Sequence, residues 1–173
     1  MSDVPKTEGT AQEDSEELNN ENSVSQFKSP VDESDQMKLN VFIVDDSKEI
    51  RNRLKEMLKE NKSISLIGET EDAGQAVVAL QHLHPDVVIF DIHMPQGGGM
   101  RVLKDIKMRE TDTIAMVFTA FPYAQYRRAY LAAGADYFFD KTQDVQNMLD
   151  TLDTIAQQHI KGRKNEEKPV KHN

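Results

Sequence analysis

The 173-residue sequence contains no cysteine. The chain can therefore form no disulfide, no thiolate zinc site and no cysteine nucleophile. No apolar run approaches the roughly 18 residues of a membrane span, and the amino terminus lacks the basic start and apolar stretch of a secretory signal. These absences favour a cytoplasmic protein that is not associated with a membrane.

Acidic residues outnumber basic residues in the part of the chain that is predicted to fold. Residues 1–37 carry ten acids and two lysines, a net charge of −8, and residues 161–173 carry five bases and two acids. Residues 38–160 are left with 18 acids and 14 bases, a net charge of −4. Neutralising a phosphate backbone needs a face rich in Lys and Arg. The charge distribution therefore predicts no nucleic-acid binding.

Apolar residues are few at the two ends of the chain. Residues 1–37 consist mainly of Glu, Asp, Ser, Asn and Gln, which cannot bury enough surface to offset the entropy of ordering. We predict a disordered acidic extension over residues 1–37, a single domain over 38–160 and a flexible tail over 161–173. The extension is interpreted as a solubilising segment, with docking onto the domain or inhibition of it as the alternative.

Between these ends, short apolar runs alternate with segments of helical periodicity. The runs predict strands at residues 39–44, 64–68, 86–90, 114–118 and 137–139. A segment with apolar residues at helical spacing follows each of them. Five strands and five helices in strict order predict a doubly wound α/β domain, in which a five-stranded parallel sheet is covered by helices on both faces.

Polar side chains follow the strands at the positions where such sheets bind ligands. Asp45 and Asp46 follow the first strand, Asp91 the third and Thr119 the fourth, and Lys141 comes shortly after the fifth. Three carboxylates on one rim repel one another, and a hard divalent cation relieves the repulsion. Magnesium prefers carboxylate, phosphate and water oxygens. The group therefore predicts a Mg²⁺ site.

Each of these residues also has a simpler structural explanation. Asp46, with Glu49 three residues later, equally fits a helix N-cap with its reciprocal partner. Asp91 is also a common turn former, Thr119 is a typical β-branched strand residue, and a lone Lys141 is typical of a solvated surface. Only their joint arrangement indicates a site.

Four segments resemble the receiver domain of two-component response regulators, of the stand-alone, chemotaxis-regulator-like type. They are Val44-Asp45-Asp46-Ser47, then Phe90-Asp91-Ile92-His93-Met94-Pro95 with Gly99 beyond it, then Phe118-Thr119-Ala120, and Ala133-Gly134-Ala135-Asp136-Tyr137-Phe138-Phe139-Asp140-Lys141. The resemblance spans about residues 38–158. It implies the flavodoxin-like (βα)5 receiver fold.

The resemblance also implies a chemistry. Asp91 would accept a phosphoryl group from a histidine kinase or a histidine phosphotransfer protein. Asp45, Asp46 and Asp91 would hold Mg²⁺ together with the backbone carbonyl of His93. Phosphoryl transfer depends on positioning and charge neutralisation, which a metal and an ammonium supply.

Further residues take their roles from the same resemblance. Lys141 would pair with the acyl phosphate, and Thr119 would donate a hydrogen bond to a phosphoryl oxygen. Phe138, three residues before the lysine, would be the aromatic switch that turns inward with Thr119. Phe121 and His93 stand two residues beyond Thr119 and Asp91, where the family lines the path of the hydrolytic water. We therefore expect Phe121 to shield the acyl phosphate.

The predicted function is that of a single-domain response regulator, because only thirteen residues follow Ile160. It would be a signalling protein and no enzyme beyond its own phosphorylation and dephosphorylation. It would act on an unknown partner protein, as a monomer or a phosphorylation-dependent homodimer. Two alternatives remain: a binding scaffold that works without phosphorylation, and an aspartate-dependent phosphohydrolase. The second expects another acid two residues after the nucleophile, where this chain has His93.

Overall fold

The computed structural model describes residues 37–95, 98–109 and 112–166, in which five strands alternate with five helices. The strands are β1 Leu39–Val44, β2 Ile64–Thr70, β3 Val87–Phe90, β4 Ile114–Thr119 and β5 Tyr137–Asp140. They form one parallel sheet in the order β2-β1-β3-β4-β5. The order changes direction at β1, so the predicted doubly wound α/β fold is confirmed.

The helices follow the strands as the apolar periodicity predicts. They are α1 Lys48–Lys59, α2 Ala73–Leu83, α3 Gly98–Met108, α4 Ala124–Ala132 and α5 Val145–Glu166. The Ser47 side chain caps α1 by accepting a hydrogen bond from the Ile50 amide. The Asp72 side chain caps α2 by accepting one from the Gln75 amide. Each cap is worth about 1 kcal/mol. No helix in the described ranges has the length and apolar character needed to span a bilayer.

The core lies in two clusters, one on each face of the sheet. Along β1 the side chains alternate with the period of two expected of a strand. Phe42 and Val44 pack in the cluster covered by α2, α3 and α4. Val41 and Ile43 pack in the cluster covered by α1 and α5. Because the strands are buried on both faces, polar side chains collect at their ends.

Helix α5 is longer than the sequence predicts. It continues to Glu166, past Ile160, where the flexible tail was expected to begin. A single glycine costs about 1 kcal/mol in a helix and does not end it. Gly162 is therefore tolerated inside α5. Residues 1–36 and 167–173, including the acidic extension, lie outside the described residues.

Candidate functional site

The strand ends that carry the predicted site residues are adjacent in the sheet. Val44 lies opposite Phe90, and the Asp91 amide donates a hydrogen bond of 3.0 Å to the Val44 carbonyl. On the other side of β3, the Lys141 amide donates a hydrogen bond of 2.8 Å to the Thr119 carbonyl. The backbone pairing of β1, β3, β4 and β5 thus brings these side chains to one rim.

The centre of the site is an ammonium group shared by two carboxylates. Lys141 Nζ lies 2.6 Å from Oδ2 of Asp91 and 2.6 Å from Oδ2 of Asp45. The three side chains are 7%, 6% and 3% exposed, respectively. One positive charge between two negative charges leaves a net charge of −1 in a largely desolvated place. Such a site attracts a further cation.

The environment of Asp45 disfavours its ionised form. Burial raises the pKa of the Asp45 carboxyl from its ordinary 3.8, and the charge of Asp91 raises it further. The Lys141 ammonium and the Ser47 amide act in the opposite direction and only partly offset the burial. Because a nearby positive charge favours the ionised form, a carboxylate in this position gains from a bound divalent cation.

Asp46 brings a third carboxylate to the rim. One oxygen from each of Asp45, Asp46 and Asp91 lies within 4.8 Å of the others. Asp46 is exposed and forms no hydrogen bond or ion pair with the rest of the described chain. An all-oxygen set of this kind suits Mg²⁺ and lacks the nitrogen or sulfur ligands typical of zinc and copper. The donor set therefore fits the predicted cation.

Helix α1 does not use Asp46 as its cap, which was the alternative explanation for this residue. Ser47 Oγ accepts the Ile50 amide at 3.3 Å and donates to Glu49 Oε2 at 3.3 Å. The Ser47 amide donates to Asp45 Oδ1 at 2.9 Å. The cap therefore lies one residue further along, and the Asp46 carboxylate is left for a ligand.

Thr119 and Phe138 lie beneath the rim. Thr119 is fully buried, and its Oγ1 accepts a 3.2 Å hydrogen bond from the Phe121 amide. The hydroxyl proton of Thr119 is thus the group left to donate. The ring of Phe138 is buried in the α2–α4 side of the core. The guanidinium carbon of Arg127 lies 4.9 Å from the centre of that ring, a cation–π distance.

Two loops meet through aromatic side chains at the mouth of the site. The His93 amide donates to Asp91 Oδ1 at 3.1 Å, and its exposed ring lies 4.1 Å from the ring of Phe121 between centroids. Tyr126 meets the His93 ring edge-on at 5.3 Å, and Tyr123 lies 6.3 Å from Phe121. We call His93, Phe121, Tyr123 and Tyr126 the aromatic cluster. The metal role expected of the His93 carbonyl stays a prediction.

Residues 41–153 match the family model of the response regulator receiver domain. The match covers more than half of the chain and includes all the strand-end residues of the site. The chain belongs to the response regulator receiver family. Receiver domains are phosphoacceptor signalling modules that bind Mg²⁺ in an acidic pocket and interact with histidine kinases or phosphotransfer proteins. In this chain, Asp45, Asp46 and Asp91 form an aspartate cluster at the ends of β1 and β3 that could hold such an ion.

Curated relatives of this receiver domain are longer proteins. It is 38% identical over 127 residues to the protein-glutamate methylesterase/protein-glutamine glutaminase of Alkalilimnicola ehrlichii, across 72% of this chain and 32% of that protein. It is 32% identical over 126 residues to an uncharacterized response regulatory protein of Vibrio cholerae, across 71% and 51%. The chain thus spans about half or less of the length of these relatives.

Solved receiver domains share the fold. The response regulator domain of CheB from Thermotoga maritima matches with a TM-score of 0.61 and 25% identity, over 72% of this chain and 97% of that one. The receiver domain of NarL from Mycobacterium tuberculosis matches with a TM-score of 0.60 and 26% identity, over 67% and 97%. These likenesses confirm the flavodoxin-like receiver fold.

This receiver domain also contains a site residue that the sequence analysis missed. Arg51 is buried and donates from its guanidinium to the Asp45 carbonyl and to Glu71 Oε2. It therefore fixes the backbone that carries the first aspartates. The available signal was its spacing, because Arg51 stands three and seven residues before Leu54 and Leu58 on the buried face of α1.

The structure places Tyr130 of α4 under the site. Its ring packs against Phe90, the residue before Asp91, at 6.3 Å between centroids. Burial, with the Asp91 charge as a second cause, raises the pKa of Tyr130 to about 12. The phenol is therefore neutral at physiological pH, and α4 contacts the strand that carries the phosphoacceptor candidate.

Gly99 allows α3 to approach the loop after β3. A Cβ at this position would lie 2.5 Å from the Asp91 carbonyl oxygen, 2.6 Å from Ile92 Cα and 3.0 Å from Tyr130 Oη. Two of these neighbours are backbone atoms and cannot rotate away. We expect Gly99→Ala to destabilise the domain by about 1–3 kcal/mol through the resulting strain.

Gly162→Ala is the matched control for this prediction, because nothing lies within 4 Å of its Cβ position in α5. Alanine in a helix is expected to stabilise there by about 0.5–1 kcal/mol. Urea unfolding followed by circular dichroism measures both changes. A Gly99→Ala variant as stable as the parent would contradict the close packing of α3 on this loop.

Proposed function

We propose that this receiver domain accepts a phosphoryl group on Asp91 in a Mg²⁺-dependent reaction and signals through altered binding to a partner protein. The observation that carries the proposal is the Lys141 ammonium held between Asp91 and Asp45, with Asp46 within reach of both carboxylates. A lone surface aspartate would have neither a fixed cation nor metal ligands beside it.

The proposed reaction is an in-line displacement at phosphorus. An oxygen of Asp91 forms the new O–P bond as the bond from phosphorus to the donor nitrogen of a phosphohistidine breaks, and the freed imidazole takes up a proton. Lys141 pairs with the phosphoryl oxygens, and Thr119 donates its hydroxyl proton to one of them. Mg²⁺, held by Asp45, Asp46, Asp91 and the His93 carbonyl, would neutralise charge on the phosphoryl group when bound.

Phosphorylation would add a charge of roughly −2 at Asp91. Thr119 would be drawn toward the phosphoryl group, and the space it vacates would favour the inward position of Phe138. Because Phe138 already lies inward in this structure, the proposed signal is a shift in the population of that arrangement. We assign its readout to binding of a partner protein, by a monomer or by a homodimer formed on phosphorylation.

Incubation of the purified chain with Mg²⁺ and acetyl phosphate, followed by intact mass measurement, tests the proposal. We expect a gain of about one phosphoryl group, lost with EDTA and lost in Asp91→Asn. Asp140→Asn is the matched control, because Asp140 stands on the same rim but its carboxylate accepts hydrogen bonds from the Thr142 amide and hydroxyl and does not pair with Lys141. Circular dichroism shows whether each variant is folded.

The other outcomes separate the alternative functions. No mass gain from any phosphodonor would favour a scaffold that works without phosphorylation. Repeated release of phosphate from varied phosphomonoesters would favour an aspartate-dependent phosphohydrolase. An equal mass gain in Asp91→Asn would place the acceptor elsewhere and overturn the assignment of Asp91.

A further inference from the structure

Helix α4 presents an outward face of unusual composition. Tyr123, Arg127 and Leu131 follow one another at intervals of four residues, so they lie in one stripe, and Arg128 lies beside it. Tyr123 is 58% exposed and Leu131 41% exposed. Only Tyr130 of this helix is fully buried. We call Tyr123, Arg127, Arg128 and Leu131 the α4 face.

The charge of the α4 face is positive and uncompensated. The sequence has no Asp or Glu between Asp112 and Asp136, and Arg127 and Arg128 are the two bases in that interval. Within the described ranges, neither arginine has a carboxylate oxygen within 4.0 Å. Several other cations of the domain are paired, as Lys107 is with Asp136. The face therefore combines apolar area with cations that have no counter-charge.

A ligand bound there would contact the core through Arg127. Its guanidinium lies over the ring of Phe138, 4.9 Å from the ring centre, although the arginine itself is exposed. A carboxylate that pairs with Arg127 would help hold the guanidinium in place over that ring. The α4 face thus joins an anion-attracting surface to the aromatic residue beneath Thr119.

We propose that the acidic amino-terminal segment of this same chain docks on the α4 face. Residues 1–36 carry ten acids and two lysines, and residues 13–21 alone carry five acids, no base and one leucine. Acids with an occasional apolar residue complement two arginines flanked by Tyr123 and Leu131. Carboxylates of residues 13–21 pair with Arg127 and Arg128, and Leu18 contacts the apolar part of the face.

Chain length permits the contact. An extended chain spans about 3.3 Å per residue, so the stretch from residue 22 to 36 covers up to roughly 50 Å. A domain of this size has a radius of gyration of roughly 14 Å. Attachment through one chain gives an effective concentration on the order of 1 mM, so even a contact with a Kd of about 1 mM would be half formed.

The docked segment would cover a surface that an acidic partner would also use. A partner would then compete with residues 13–21 for Arg127 and Arg128. This inference does not depend on phosphorylation of Asp91, so it can fail or hold independently of the function proposed above.

Docking can be tested by paramagnetic broadening of amide signals. Because the chain has no cysteine, one introduced cysteine carries a spin label at a single known position. We place a nitroxide on Ser15→Cys in the full chain and compare amide signal intensities before and after its reduction. Docking predicts at least about a twofold intensity loss at residues 124–132. The loss should disappear in Arg127→Gln/Arg128→Gln and in about 1 M salt, where the Debye length is about 3 Å.

Arg101→Gln/Lys104→Gln is the matched control, because it removes the same charge from exposed positions of the neighbouring α3. It should leave the broadening of α4 unchanged. Broadening that is uniform over the domain, or that survives loss of both α4 arginines, overturns the proposal. A second sample tests whether the contact is between two molecules. It mixes spin-labelled chain without ¹⁵N with ¹⁵N-labelled chain that has no spin label. If the α4 signals broaden as strongly in this mixture, the segment docks on another molecule, and the proposal is overturned.

Discussion

Lys141→Met is expected to lower the free energy of unfolding by about 3–5 kcal/mol in Mg²⁺-free solution, the range for removing one partner from a buried ion pair. The same change is expected to slow phosphorylation of Asp91 by about 10²- to 10³-fold, as for the loss of one preorganised electrostatic contact. Lys141 is the shared partner of Asp45 and Asp91, whose side chains are almost fully buried. Methionine has a similar length, so the loss reflects charge rather than a cavity.

The destabilisation should depend on pH with a definite sign. Burial already raises the pKa of Asp45 from 3.8, so the folded protein binds this proton more tightly than the unfolded chain. The resulting stability is fully present below pH 3.8 and is lost as the pH rises through the raised value. Lys141 lowers the pKa of Asp45, so Lys141→Met should raise this pKa further. The stability that comes from the protonated Asp45 carboxyl would then be lost at a higher pH than in the parent.

Urea unfolding at several pH values, with and without Mg²⁺, measures these effects. Lys107→Met is the matched control, because Lys107 pairs with Asp136 at 2.9 Å but the two side chains are 32% and 41% exposed. Such a pair is worth about 1 kcal/mol or less. Mg²⁺ at a hundredfold excess over its Kd should add about 2.7 kcal/mol to any variant that binds it. Equal losses in Lys141→Met and Lys107→Met would contradict the central role of Lys141.

The positions of the site residues follow from the strand pattern. Buried parallel strands appear in sequence as nearly continuous apolar runs, as 39–44 and 87–90 do, and each run ends abruptly at a carboxylate. Strict alternation of strand and helix then brings the carboxyl ends to one rim. Asp45, Asp91, Thr119 and Lys141 were therefore predictable as neighbours before any coordinate was known.

Features that depend on side-chain packing could not be predicted in the same way. Asp46 and Ser47 are both good N-caps, and a choice between them involves about 1 kcal/mol or less. The burial of Arg51 depends on Glu71 and on the carbonyl of Asp45, which are distant from its own turn of helix. The end of α5 was missed because Gly162 signals a break that the helix tolerates.

Removal of the Phe121 ring is expected to shorten the lifetime of the acyl phosphate. The amide of Phe121 bonds to Thr119 Oγ1, and the amide of His93 bonds to Asp91 Oδ1. Their rings, 4.1 Å apart, therefore join the two loops directly beside the proposed phosphoryl position. Phe121→Ala opens a path for water, and Phe121→Glu also supplies a carboxylate that can accept its proton. We expect about tenfold faster hydrolysis in Phe121→Glu, equivalent to about 1.4 kcal/mol of barrier, and a smaller gain in Phe121→Ala.

Because the His93 and Phe121 rings are in direct contact, we expect His93→Ala to act non-additively with Phe121→Ala. Tyr123→Ala is the matched control, since Tyr123 belongs to the aromatic cluster and contacts Phe121 and Tyr126 but not His93. Loss of the phosphoryl mass is followed over time after the donor is removed, in excess Mg²⁺. If Phe121→Glu kept its phosphate as long as the parent, or if Tyr123→Ala lost it as fast as Phe121→Glu, the pair of rings would not be the barrier to water. A double variant that combines the two single effects additively would show that each ring acts alone.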